Sequence, residues 1–383
     1  MKKPNIPSYL LRTKWFAFLM AVLFLIVFGR MVDTPSLSKS AVVLGIGIDY
    51  DDNQAQFEVS TQTVLVGSSS GDTSNTSFVC TTAKGSTIAG AMDVIARKTG
   101  LIISLSHCNV VFLSTAAFKL DHMQLVYPLT SMYALPEQTI VVTGDKPPAE
   151  MLALRIGTTI SSPFFLQQAL VNEEGSDGMI RTTAKDFMAR SLSKSKANVI
   201  PYIVAKSTSP PLTEAGEGGK VFEFDISRAM VFNDKHHCVL ANEYAEILAL
   251  YSSHDVTGTL NYTAADGGTI EFKILKKDVK IKANGRHITA TLKLSADLAD
   301  VQKIPSDKVI TTADDIVKRY ANALAKDAEK RLVEMFETSK RINVDFLSLQ
   351  SKAYQSVGRT FEDDCLDTLT FTPHVSIVVR EAS

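Results

Sequence analysis

The stretch VKIKANGRHITATLKL, residues 279–294, decides the fold. Val279 and Ile281 alternate with lysines before Asn284-Gly285, and Ile288, Ala290, Leu292 and Leu294 alternate with polar residues after it. A period of two marks a strand with one buried face, and Asn-Gly between two such runs is the strongest short hairpin signal. Downstream the period becomes helical. Thr312 with Asp315 resembles a capping box, and Ile316, Tyr320, Ala323, Leu324, Ala328, Leu332, Met335 and Phe336 share one face of a long helix over 312–339. A hairpin, a long amphipathic helix and a last alternating strand over 373–380 read as α+β.

Upstream of the hairpin, 260–281 reads as strands joined at Asp266-Gly267-Gly268, and 221–232 as a strand closed by the turn Asn233-Asp234-Lys235. Leu240, Tyr244, Ile247, Leu248 and Tyr251 line a helix between them. Residues 207–219, STSPPLTEAGEGG, hold too little apolar surface to order themselves, and read as a linker or a long surface loop. The first half mixes strands at 41–49, 55–65, 77–83, 109–114 and 139–143 with helices begun at Ser86, His122 and Pro147. Pro201 assigns the strand over 199–204 to a sheet edge. The expectation is therefore two or three mixed α/β domains with largely antiparallel sheets. Their bounds are 34–205 for the N-terminal α+β part, 206–220 for the linker and 221–383 for the C-terminal α+β domain.

Ahead of these domains stand residues 15–28, WFAFLMAVLFLIVF, with Lys2, Lys3, Arg12 and Lys14 before them and Arg30 after. The basic flank keeps the N-terminus cytoplasmic and sends the bulk across the membrane. No small-x-small site follows, so residues 1–33 read as a cytoplasmic tail and an uncleaved transmembrane signal anchor in preference to a cleaved secretory signal.

The charge balance, 40 basic against 41 acidic side chains, leaves no electrostatic footprint for nucleic acid. Cys80, Cys108, Cys238 and Cys365 form no CxxC pair; they could pair in three ways, though such sparse usage suits buried free thiols. Gly45 and Gly47 lack the third glycine of a dinucleotide fingerprint, because position 50 is Tyr50. His236-His237-Cys238 is the one His/Cys cluster, yet in an extended chain adjacent side chains face opposite ways and cannot all meet one metal. His107-Cys108 invites a thiol nucleophile, but a residue rarely activates its own neighbour. The expectation is no catalytic, cofactor-binding or metal residue, no cofactor and no enzyme.

Five segments in order resemble the Ger(x)C family, the C subunits of nutrient germinant receptors of spore formers. They are the strand Gly45-Ile46-Gly47-Ile48-Asp49, the run Leu105, His107 and Val110 within SLSHCNVVFLS, the helix start Ala149-Glu150-Met151-Leu152, the strand Met230-Val231-Phe232 with its Asp234-Lys235 turn, and Val344-Asp345-Phe346-Leu347-Ser348-Leu349. Four departures stand out: Arg30 falls where a lipobox cysteine is expected, Ser348 where a glycine is, and Met230 where an alanine is, and the tryptophan expected near the C-terminus is missing, the only one being Trp15. The resemblance implies a non-enzymatic subunit of a germinant receptor in the spore inner membrane, facing outward beside A-type and B-type membrane subunits and touching lipid through residues 15–28. The alternative is an anchored extracytoplasmic ligand-binding or envelope protein unrelated to germination.

Overall fold

The structure, a computed structural model, describes Trp15 and residues 18–24, 40–64, 78–156, 160–171, 178–208, 221–252, 258–263, 269–302, 313–358 and 365–380. The chain divides into two units, residues 1–41 and 42–383. In the first, residues 18–24 are helical, with Phe18, Leu19, Leu23 and Phe24 each at least half exposed. Among the described residues no helix is long and apolar enough to cross a membrane. The remaining residues of the expected anchor, 16, 17 and 25–28, lie outside the described ones.

The second unit is entered through β1 (Ser40–Asp51), which turns back into β2 (Gln56–Val64). Asp51 fixes the turn by accepting the Asn53 N–H at 3.0 Å. Next come β3 (Phe78–Gly85) and α1 (Ile88–Thr99), whose buried face is Ile88, Ala91, Met92 and Ile95, as the periodicity requires. The cap is Thr87 rather than Ser86: its hydroxyl accepts the Gly90 N–H at 3.0 Å, and Gly100 closes the helix at φ 68°.

The order continues with β4 (Ile102–Ser104), β5 (Val110–Leu113), α2 (His122–Tyr133), β6 (Ile140–Gly144), α3 (Pro148–Ala153), β7 (Arg155–Ile156), β8 (Ile160–Ser161), α4 (Ser162–Val171), α5 (Ala184–Ser191), β9 (Asn198–Thr208), β10 (Val221–Phe232) and β11 (His237–Leu240). These strands make one sheet in the order β3-β2-β1-β5-β6-β9-β10-β7-β8, with β4 on β1 and β11 on β10. The sheet is mixed, not largely antiparallel. Its centre, β1, β5, β6 and β9, runs parallel, because helices return the chain to the same end between those strands. Pro201 is not on an edge either: β9 lies between β6 and β10, and pairing with β6 begins only at Tyr202, just past the proline.

The C-terminal elements are α6 (Asn242–Ser252), β12 (Gly258–Thr263), β13 (Thr269–Asn284), β14 (His287–Gln302), α7 (Ala313–Ile342), α8 (Leu349–Val357) and β15 (Thr370–Val379). The strands form a second sheet in sequence order, with β15 parallel to β14. The hairpin read from 279–294 is present with its turn shifted by one residue. Asn284 and His287 pair, so the loop is Gly285-Arg286, and Gly285 at φ 61° fills the first loop position, where a two-residue turn accepts glycine.

The long helix buries Leu324, Ala328, Leu332, Met335 and Phe336. Ala321 and Ala325 join that face, whereas Ala323 is half-buried. Thr312 and the Asp315 side chain, the expected capping box, lie outside the described residues. Packing crosses the sequence boundary at the linker. β10 pairs with β9 from Val221↔Thr208 to Phe232↔Asn198, and Val199, Ala229 and Val231 share one apolar core with Phe272, Leu292 and Leu332.

Candidate functional site

The glycines of β1 serve packing. A Cβ on Gly45 would stand 2.5 Å from Pro163 Cγ and 2.8 Å from Leu152 Cδ2, and one on Gly47 would stand 2.7 Å from Pro148 Cβ. Their absence lets α3 and α4 lie directly on the strand. The carbonyls that end α3 are capped from both sides: Gln62 Nε2 donates to Leu152 O at 2.6 Å, and Ser162 Oγ to Met151 O at 2.7 Å. The buried face of this region thus does structural work.

A cleft of about 280 Å³ opens where β5 and β6 begin. Its lining includes His107, Cys108, Asn109, Gln138, Gln167 and Arg181. The backbone of the floor is held at several points. Cys108 N–H donates to Leu105 O at 2.8 Å, Asn109 N–H to Leu44 O at 2.8 Å and Ile140 N–H to Asn109 O at 3.0 Å, while Thr139 Oγ1 donates to Cys108 O at 2.9 Å. Cys108 itself is buried. Its thiol reaches Val110 O at 3.4 Å, and burial pushes it up to about 12, so it is no thiolate near neutrality. The thiol nucleophile that His107-Cys108 invites is therefore not formed.

A second polar cluster joins residues far apart in the chain. Asp345, 2% exposed, accepts the Leu349 N–H at 2.9 Å, the Gln350 N–H at 2.7 Å and the Ser195 hydroxyl at 2.5 Å. Ser195 in turn lies 2.8 Å from Ser351 Oγ, and its N–H donates to that oxygen at 3.1 Å. The carboxylate thereby caps the first N–H groups of α8 and ties it to the segment between α5 and β9. Burial pushes the Asp345 carboxyl up to about 6, outweighing the three hydrogen bonds that favour its charged form. Ser348 stands at φ 59°, the left-handed conformation in which a glycine is more at ease.

Two histidine sites named in the sequence are structural as well. His122 accepts the Asn198 amide at Nδ1 (3.1 Å), which leaves Nε2 to donate to Phe118 O at 3.0 Å; the ring is the neutral Nε2–H tautomer, and burial lowers its pKa. His236 is exposed in the turn after β10, and His237 and Cys238 fall on β11. Among the described residues no three His, Cys, Asp or Glu side chains gather as a metal cage. The cleft and the Asp345 cluster draw on separated segments, and their one local signal was a charged Asp345 inside an apolar run.

Two mixed sheets sharing a core and pinned by a buried carboxylate define an α+β protein whose Asp345 cluster fastens its parts together. Residues 33–205 match the family described as Spore germination protein N-terminal domain, and residues 227–382 that described as Spore germination B3/ GerAC like, C-terminal. The chain belongs to this family of spore germination proteins, the Ger(x)C subunits of germinant receptors. It is a germinant receptor subunit acting in spore germination, from a family not known for enzymes. A solved structure described as "Crystal Structure of the GerBC protein" is similar at 16% identity, over 91% of this chain and 99% of that one, with a TM-score of 0.45. Among curated proteins none matches.

Proposed function

We propose that the chain is a non-enzymatic receptor subunit held on the outer face of the spore inner membrane by residues 15–28, beside A-type and B-type membrane subunits. The observation that carries this reading is the pair of family matches, in chain order, over 33–205 and 227–382. The exposed apolar side chains of residues 18–24 suit lipid contact. Residues 34–205 and 221–383 are its two parts, joined by 206–220. A tagged chain should co-purify from spore membranes with both membrane subunits, and its deletion should abolish the response to at least one nutrient. Recovery without either subunit, together with unaltered germination, refutes the proposal. A mature protein shortened by about 30 residues, as signal cleavage would leave it, refutes the anchor.

A further inference from the structure

The cleft at the start of β5 and β6 holds an unusual set of unengaged polar groups. His107, Asn109, Gln138, Gln167 and Arg181 come from four separate segments. None of their side chains makes a hydrogen bond or ion pair to another described residue. Arg181 Nε is the sharpest case, because it is buried and has no partner among the described residues. Buried donors are normally paired, and one left open inside a cleft marks the place of an acceptor that is not protein. Among the described residues the lining contains no carboxylate to supply that acceptor. It does contain a permanent cation, three amides, and the apolar surface of Pro136, Ile140 and Val171.

We propose that this cleft binds a small organic oxyanion, its carboxylate or phosphate held by Arg181 and its polar substituents by the amides of Asn109, Gln138 and Gln167. A guanidinium offers two parallel N–H donors in the spacing of a carboxylate or phosphate edge, with specificity a lone ammonium lacks. The volume of about 280 Å³ admits about nine water-sized groups at roughly 30 Å³ each, the scale of a hydroxy acid or a sugar-phosphate fragment. The walls are stiff. The floor loops are fixed by their backbone bonds, and Arg181 sits on a segment bridged to β6, with Thr183 paired to Ile140 and Thr182 O accepting the Val141 N–H at 2.9 Å. Such a site needs little ordering on binding. The proposal goes beyond the receptor reading and stands on the isolated chain alone.

The test is saturation-transfer NMR on the full chain in detergent, with lactate, succinate, glycerol 3-phosphate and neutral lactamide as probes. The expected result is transfer to at least one anion and not to lactamide, with binding weakened tenfold or more in Arg181→Gln and less in Arg181→Lys. Because the Arg181 side chain lies in the cleft and holds no described partner, both variants should keep the wild-type melting temperature, which checks that they fold. Binding of glycerol 3-phosphate without the carboxylates assigns a phosphate; the converse assigns a carboxylate. Equal transfer to lactamide, no binding of any anion, or an Arg181→Gln variant that binds like wild type overturns the proposal.

Discussion

Replacing Asp345 tests the link between the chain's two halves. Alanine at this position strips the acceptor from the N–H groups of Leu349 and Gln350, while Ser195 keeps Ser351 as a partner. Two orphaned buried donors at about 1–3 kcal/mol each give a loss of ~4 kcal/mol. The pH dependence carries a separate signature. The folded carboxyl titrates near 6 against the ordinary 3.8, so the folded chain holds this proton more tightly than the unfolded one. Its stabilising contribution is complete below about pH 3.8 and is lost as pH rises through about 6. Between pH 5 and 7.5 that amounts to about 1.4 kcal/mol. His122 works in the opposite sense, since its lowered pKa makes acidification unfavourable, and both variants of Asp345 retain it. The difference between wild type and Asp345→Asn therefore isolates the aspartate. The only tryptophan is Trp15, so urea unfolding is best followed by far-UV circular dichroism. Wild type should lose about 1.4 kcal/mol relative to Asp345→Asn on going from pH 5 to 7.5. A flat or inverted gap, or an alanine variant less than about 1 kcal/mol down, refutes the reasoning.

Two substitutions probe the backbone. Gly47→Ala drives a methyl to within 2.7 Å of Pro148 and should cost about 1–3 kcal/mol in urea unfolding; a neutral outcome means that α3 does not lie on β1. Ser348→Gly removes a hydroxyl with no described partner and relaxes φ 59°, so it should stabilise by about 0.5–1 kcal/mol, read as a raised denaturation midpoint. Destabilisation there would show that the serine side chain matters.

Long elements were legible and short ones were not. The α1 face and the alternation of Val375, Ile377 and Val379 on β15 come directly from spacing. Strand direction did not, because local pattern is blind to whether a helix returns the chain to the same end of the sheet. β11 spans four residues, and β7 and β8 two each, too few to show alternation. In β2 the run from Val59 to Thr63 is buried on both faces, polar residues included, which a period of two does not reveal. The partners of Asp345 and the cleft neighbours of Arg181 are set by tertiary approach: Ser195 is 150 residues from the aspartate it binds. The Ser348 departure from the expected glycine was visible in sequence, and its physical meaning, a left-handed residue without glycine's freedom, needed φ.

The composition of 207–219 marks a break in the chain, but the packing on either side does not break there. β9 leads into that segment and β10 leads out of it, and the two pair along nearly their whole lengths. Removing everything after residue 205 would expose the β9 edge and uncover Val199, which shares its core with Ala229 and Phe272. The Asp345 cluster adds a polar fastening to the same junction from α8. A displacement of the C-terminal sheet therefore bears on β9, which pairs with β6 at Thr143 and Gly144.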